Sequence, residues 1–242
     1  MTRTPELAGQ TVVVIGGSAG MGLETARRAR EEGAEVIVTG RSPERLKQAA
    51  AEIGARDVAA FDVTDPDALD GFFAGLPGLI DHLLMTGPGP YYAPLAELDF
   101  AAALRSLDTH LLTPIRIGRN AVGRVRPGGT LLFIGGTGAR RPARGQAMAA
   151  IGTAALPALV ANLALELAPI RVNLIAAGFV DTPLSARLLG EDLDARRAQL
   201  RATLPVGRVV GPADIAALAV HLMANTAVTG ATYDIDGGQQ LI

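Results

Sequence analysis

The sequence predicts an α/β fold: one doubly wound domain, with a parallel sheet of about seven strands and helices on both faces. Three observations predict it. Short β-branched runs alternate with helical patterns along the chain, as in right-handed βαβ units. A glycine-rich turn joins the first strand to the first helix. No linker, repeat or low-complexity stretch divides the 242 residues, so residues 1–242 read as a single domain.

Each element has its own signal. Thr11–Ile15 is a β-branched run ending at Gly16-Gly17, the pattern of a strand buried on both faces. Met21–Glu32 reads as a helix stopped by Gly33, and Glu35–Thr39 as a second strand. Ser42 caps a helix over Pro43–Ile53, with Pro43 at its first position. Val58–Phe61 is a third strand, and Asp65 caps a helix from Pro66 to about Phe73. His82–Met85 is a fourth strand. Asp99–Val125 carries one long helical pattern, ended by Pro127-Gly128-Gly129. Thr130–Ile134 is a fifth strand, and Gln146–Leu167 a helix that Pro157 is expected to kink. Arg171–Ile175 is a sixth strand, Pro183–Leu204 a helical excursion, Pro212–Met223 a helix and Ala231–Ile235 the last strand.

Composition bounds the chemistry. Lys+Arg is 22 and Asp+Glu 24, and a net charge of −2 gives no global attraction to nucleic acid or an anionic membrane. The absence of cysteine excludes disulfides, thiolate catalysis and cysteine-held metals. His82, His110 and His221 are scattered, so no metal site is expected. No unbroken apolar run reaches the roughly 18 residues of a membrane span. The first residues lack the apolar core of a signal peptide, so a cytoplasmic protein is the expectation. Tyrosine occurs only at Tyr91, Tyr92 and Tyr233, and the one lysine is Lys47. Any mechanism that needs either residue can be checked against these four positions.

Gly16-Gly17-Ser18-Ala19-Gly20-Met21-Gly22 lies between strand and helix, where glycines let the backbone approach a ligand. The helix N-terminus behind it presents free N–H groups and partial positive charge, which suits a pyrophosphate. The spacing Gly-x-x-x-Gly-x-Gly resembles that of the short-chain dehydrogenase/reductase family, whose members have the Rossmann fold. Three further segments carry the resemblance across essentially the whole chain: Asp62-Val63 after strand three, Ile170–Pro183 around strand six, and Thr229–Gly238 around the last strand.

The resemblance implies a dinucleotide held by Gly16, Ser18, Gly20, Met21, Gly22, Asp62, Val63, Thr86, Gly87, Gly178, Val180 and Thr182. Strand two ends in Thr39-Gly40-Arg41, without the carboxylate that would accept a ribose 2′-OH. Arg41 suits a 2′-phosphate, so NADP is the expected cofactor and NAD the alternative.

The resemblance also shows what is missing. Family members use a Ser, a Tyr and, four residues later on one helix face, a Lys that lowers the phenol pKa. Counting through the flanking matches puts these groups at Gly136, Ala149 and Thr153. No Tyr or Lys lies between Thr130 and Pro169, so no change of register restores the pair. The accessory Asn aligns with His110.

Three readings follow. In the first, an oxidoreductase acting on a carbonyl, quinone or imine uses a relocated acid: His110, or Tyr91 or Tyr92 in the loop after strand four. Arg140, Arg141 and Arg144 could then bind an anionic substrate. Ordinary packing or solvation accounts equally for each of these residues. In the second, the chain is a catalytically silent dinucleotide binder, a sensor or partner subunit. In the third, it is a lyase or isomerase on the same frame. Residues 183–204 occupy the place of a substrate lid. The two long helices are apolar on more than one face, and in family members they pack across a two-fold axis, which implies a homodimer or homotetramer.

Overall fold

The computed structural model describes residues 6–242. Seven parallel strands form one sheet: β1 Thr11–Ile15, β2 Glu35–Gly40, β3 Asp57–Ala60, β4 Ile80–Met85, β5 Val125–Gly136, β6 Arg171–Ala177 and β7 Thr232–Ile235. Their order is β3-β2-β1-β4-β5-β6-β7. The order reverses between β1 and β4, which opens a crevice at the carboxyl ends of the strands.

The helices are α1 Gly20–Glu31, α2 Pro43–Ile53, α3 Pro66–Ala74, α4 Phe100–Leu107, α5 Thr113–Ala121, α6 Ala147–Glu166, α7 Pro183–Leu189, α8 Leu193–Thr203 and α9 Pro212–Ala224. Alternation along the strands divides the core into two. Val13, Ile15, Leu83, Met85, Leu131 and Phe133 face α3, α5 and α6. Val12, Val14, Val36, Val38, Leu84 and Leu132 face α1, α2 and α9. The expected caps form: Ser42 accepts the Arg45 N–H, and Asp65 accepts the N–H groups of Asp67 and Ala68.

Two expectations need correction. Asp99–Val125 is not one helix. Pro114 has no N–H, and its ring would clash with the carbonyl four residues back. The chain answers with a π-type turn over Asp108–Leu112, in which the Thr113 N–H reaches the Asp108 carbonyl. Helix α5 then ends at Ala121, and Val125 already belongs to β5. The excursion over 183–204 is likewise two helices, split at Gly190, whose φ of +53° ends α7. Pro157 lies inside α6, which runs as one helical segment from Ala147 to Glu166. Finally, α6 is long and apolar enough to cross a membrane by length and composition. In the fold it instead buries Met148, Gly152, Leu156, Val160, Leu163 and Ala164.

Candidate active site

The phosphate turn is shaped by steric necessity. Gly16 has φ +83°, and a Cβ there would overlap Thr86 Oγ1. Thr86 lies just past β4 and donates to the carbonyls of Ile15 (3.2 Å) and Gly16 (3.3 Å), which ties the two strand ends together. A Cβ on Gly22 would overlap the Gly16 carbonyl. These contacts fold the turn back over the start of α1. Ala19 at the cap makes no side-chain hydrogen bond, and the first turn of α1 holds no acidic residue. The helix end therefore offers its N–H groups to an anion.

Ser18 lies beside the end of β2, its Oγ 3.3 Å from where a Gly40 Cβ would stand. Met21 is half-buried against the α1–α9 side of the core. Arg41 is exposed at the strand tip. Burial disfavours the Asp62 carboxylate, but the Thr64 N–H (3.0 Å), the Thr64 hydroxyl (2.8 Å) and the Arg41 charge hold its carboxyl below the usual range. Arg41 and Asp62 thus lie together at one rim of the crevice. Val63 is partly buried against the core on the α3 side.

The opposite wall comes from the segment after β6. Gly178 packs on the C-terminal turn, and a Cβ would come 2.5 Å from Asp236 Cβ. Val180 is buried and bridged to Val210. Thr182 caps α7 in a reciprocal pair with Ser185 and lies 3.5 Å from a Cβ built on Gly20. This segment therefore stands across from the phosphate turn. A Gly89 Cβ would come 2.9 Å from Leu184, so α7 rests against the loop after β4. Arg197 on α8 holds Asp181 through Nε (2.9 Å) and Nη2 (2.8 Å), which anchors α8 to the segment before α7.

The positions where the resemblance places the catalytic groups differ sharply. Gly136 at the end of β5 lies beside Thr153: a Cβ there would stand 3.3 Å from Thr153 Cγ2. Thr153 Oγ1 accepts the Ala139 N–H (2.8 Å) and donates to the Ala149 carbonyl (2.9 Å). Thr153, where the resemblance places the family lysine, is thus a loop tether, and Ala149, one turn before it, carries no transferable proton.

His110 rides on the π-type turn and packs against Gly152 of α6 and Gly87. Its Nδ1 lies 2.8 Å from the Ser106 carbonyl and its Nε2 3.3 Å from the Pro88 carbonyl. Both nitrogens face backbone acceptors. A pocket of about 20 Å³, roughly one water, lies beside it against Met85, Gly87, Phe133 and Leu156. The Tyr91 hydroxyl accepts the Asp99 N–H (3.1 Å) and so stands at the start of α4. Tyr92 is 48 % exposed, and partial burial pushes its phenol up. The structure brings His110 to Gly87 but holds the Tyr91 hydroxyl at Asp99.

Two of the three arginines proposed for an anionic substrate are engaged elsewhere. Arg140 pairs with Asp234 and donates to Gln240 Oε1 (2.7 Å), and Arg141 donates to the Gln239 carbonyl (2.8 Å). Arg144 is exposed. Sequence reasoning missed Thr153 as a tether and missed Gln239. Gln239 accepts the Phe179 N–H at 2.8 Å, and the only sequence signal near it was the Gly237-Gly238 pair.

A cradle that excludes side chains, an uncapped helix end and a sheet reversal coincide at one crevice, and the comparisons agree with that geometry. The sequence profile of a family described as enoyl-(acyl carrier protein) reductase matches residues 16–240. The chain belongs to the short-chain dehydrogenase/reductase family.

It is 31 % identical to the short-chain dehydrogenase/reductase ATR9 of Stachybotrys chlorohalonatus, over 97 % of this chain and 98 % of that one. It is 32 % identical to a cis-4-hydroxycyclohexanecarboxylate dehydrogenase of Sinomonas cyclohexanicum, over 96 % of each. Among solved structures, a small-chain dehydrogenase in complex with NADPH superposes with a TM-score of 0.82 at 27 % identity, over 96 % of this chain and 99 % of that one. The MalC reductase/Diels-Alderase of Malbranchea aurantiaca, at 22 % identity, shares the fold with a TM-score of 0.92 over 99 % of each chain. As a family member the chain is a short-chain oxidoreductase with a Rossmann-type nicotinamide-binding frame.

Proposed function

We propose that this family member is an NADP-dependent oxidoreductase acting on a carbonyl, quinone or imine compound without the family's usual acid/base. The observation that carries the cofactor choice is Arg41, exposed at the tip of β2 where NAD binding calls for a carboxylate. The turn Gly16–Gly22 and the uncapped start of α1 would hold the pyrophosphate, and Arg41 the 2′-phosphate. Gly178, Val180 and Thr182 would line the nicotinamide half. When bound, the nicotinamide supplies hydride chemistry.

The proton side of the reaction falls to the loop after β4. A substrate oxygen entering beside Gly87 competes with the Pro88 carbonyl for the His110 Nε2 position. Tyr92, with its phenol pushed up, is a weak donor. Quinones and imines demand less of a general acid than ketones do, which places them first among substrates.

One observation favours a silent NADP-binding protein instead: Gly136 and Ala149 carry no proton, and the hydroxyl of Thr153 is directed at its own helix. A screen for NADPH consumption against quinones, imines and ketones separates the readings. Turnover, reduced in His110→Ala, is expected; tight NADPH binding with no turnover across the screen favours the silent protein. The exposed apolar side chains of Phe100, Leu104, Leu112, Ile115 and Ile151 support a homodimer or homotetramer. Light scattering on the purified chain tests that assembly.

A further inference from the structure

The C-terminal turn ties together three walls of the crevice. Asp236 is 8 % exposed, and its carboxylate accepts the N–H groups of Gly238 (2.8 Å) and Gln240 (3.0 Å) and the Gln240 side-chain amide (2.9 Å). Gly237 and Gly238, at φ +66° and +86°, press against the loop that leaves α8: Cβ atoms there would stand 2.8 Å from Val206 and 2.6 Å from Pro205. The turn is thereby closed on itself and seated on the end of the lid.

Gln239 projects from this closed turn into the segment that faces the phosphate cradle. Its Oε1 accepts the Phe179 N–H at 2.8 Å, between Gly178 and Val180. The same Oε1 lies 2.8 Å from where a Gly178 Cβ would stand, so only glycine lets the two approach. On its other side the Gln239 carbonyl accepts Arg141 (2.8 Å), and Arg140 reaches Gln240 and Asp234. Gln239 therefore connects the loop after β5 with the segment after β6, and its neighbours Gly237 and Gly238 seat the same turn on Pro205 and Val206 after α8.

We propose that Gln239 is a positioning residue for the nicotinamide half of the cofactor site. It fixes the backbone of Gly178–Val180 by accepting the Phe179 N–H, and it holds that backbone against the Arg140–Arg141 loop. The inference rests on the NADP reading above. It assigns Gln239 no contact with substrate and no part in proton transfer. Because the tether acts on one wall only, it affects a ligand that reaches the nicotinamide end and spares one that occupies only the end near Arg41.

Binding to the full chain tests this with two ligands, NADPH and adenosine 2′,5′-bisphosphate, which lacks the nicotinamide half. Gln239→Met keeps the side-chain length and removes the acceptor; Gln239→Glu keeps an acceptor oxygen. NADPH affinity is expected to fall about tenfold in Gln239→Met, the scale of one lost hydrogen bond. Bisphosphate affinity should stay unchanged, and Gln239→Glu should stay within about threefold of the natural chain for both ligands. Native-like NADPH binding by Gln239→Met, equal weakening of both ligands, or a loss in Gln239→Glu as large as in Gln239→Met would each overturn the proposal. Failure of the natural chain itself to prefer NADPH over NADH would instead overturn the NADP reading.

Discussion

Small residues stand at both ends of the crevice, for different reasons. At the phosphate end, small residues are required: side chains on Gly16 and Gly22 would overlap Thr86 and the turn's own backbone. At the catalytic end, small residues stand where larger groups would have a role: Gly136, Ala149 and Thr153 occupy the places aligned with a Ser, a Tyr and a Lys. A Cβ on Gly136 would meet Thr153 Cγ2 at 3.3 Å, a tight contact with a side-chain methyl rather than with backbone. The first set is fixed by contacts within the protein itself. The second set meets no backbone overlap of that kind, and the Thr153 hydroxyl, like the neighbouring His110 imidazole, faces backbone carbonyls. On the proposed reading, a frame for dinucleotide persists while the proton relay built on it does not.

The strongest way to break this contrast is to rebuild the relay. The triple variant Gly136→Ser, Ala149→Tyr, Thr153→Lys is expected to reduce simple ketones on the order of a hundredfold faster than the natural chain, as general acid catalysis would supply. Steady-state NADPH consumption measures it, and no gain in a variant that still binds NADPH would show that the centre lacks more than these three groups.

A second experiment separates the pH response of the fold from that of the site. His82 on β4 is 4 % exposed and donates through Nε2 to Gln10, and burial, then the Arg171 charge, pushes its imidazole down to about 3. The unfolded value is about 6.5, so between the two pH values the unfolded chain binds the extra proton. Stability is therefore full above about pH 6.5 and falls by a few kcal/mol as the pH drops toward 3. Urea melts at pH 7 and pH 4 should show the loss, and His82→Gln should flatten it.

At the phosphate end, Gly22→Ala should cost about 1–3 kcal/mol in urea melts through overpacking, and should weaken NADPH binding at least about tenfold. The smallest effect is at the rim: Arg41→Ala should lower the NADPH to NADH affinity ratio about tenfold. An unchanged ratio in titrations with both cofactors would show that Arg41 does not read the 2′-phosphate.

The frame was legible because its signals are local. Gly16–Gly22 sits between a β-branched run and a helix, and Ser42 and Asp65 announce their helices within three residues. The missing relay was legible for a different reason: with tyrosine at only three positions and lysine at one, composition excludes the pair from α6. Pro114, inside the Asp99–Val125 pattern, is a weaker signal. It marked an irregularity without saying that a π-type turn would absorb it and carry His110 to Pro88.

The sequence by itself determined the order of strands and helices, the phosphate cradle and the absence of a Tyr–Lys pair, because each depends on residues adjacent in the chain or on simple presence. Tertiary structure alone decided where protons and charges are directed. Arg140 and Arg141, which read as anion binders, are held by a C-terminal segment about 100 residues away. His110 meets a carbonyl 22 residues back, and Gln239 reaches Phe179 across 60 residues. The physical reason is that a donor commits to the acceptor that packing brings within about 3 Å, and packing is a property of the whole sheet.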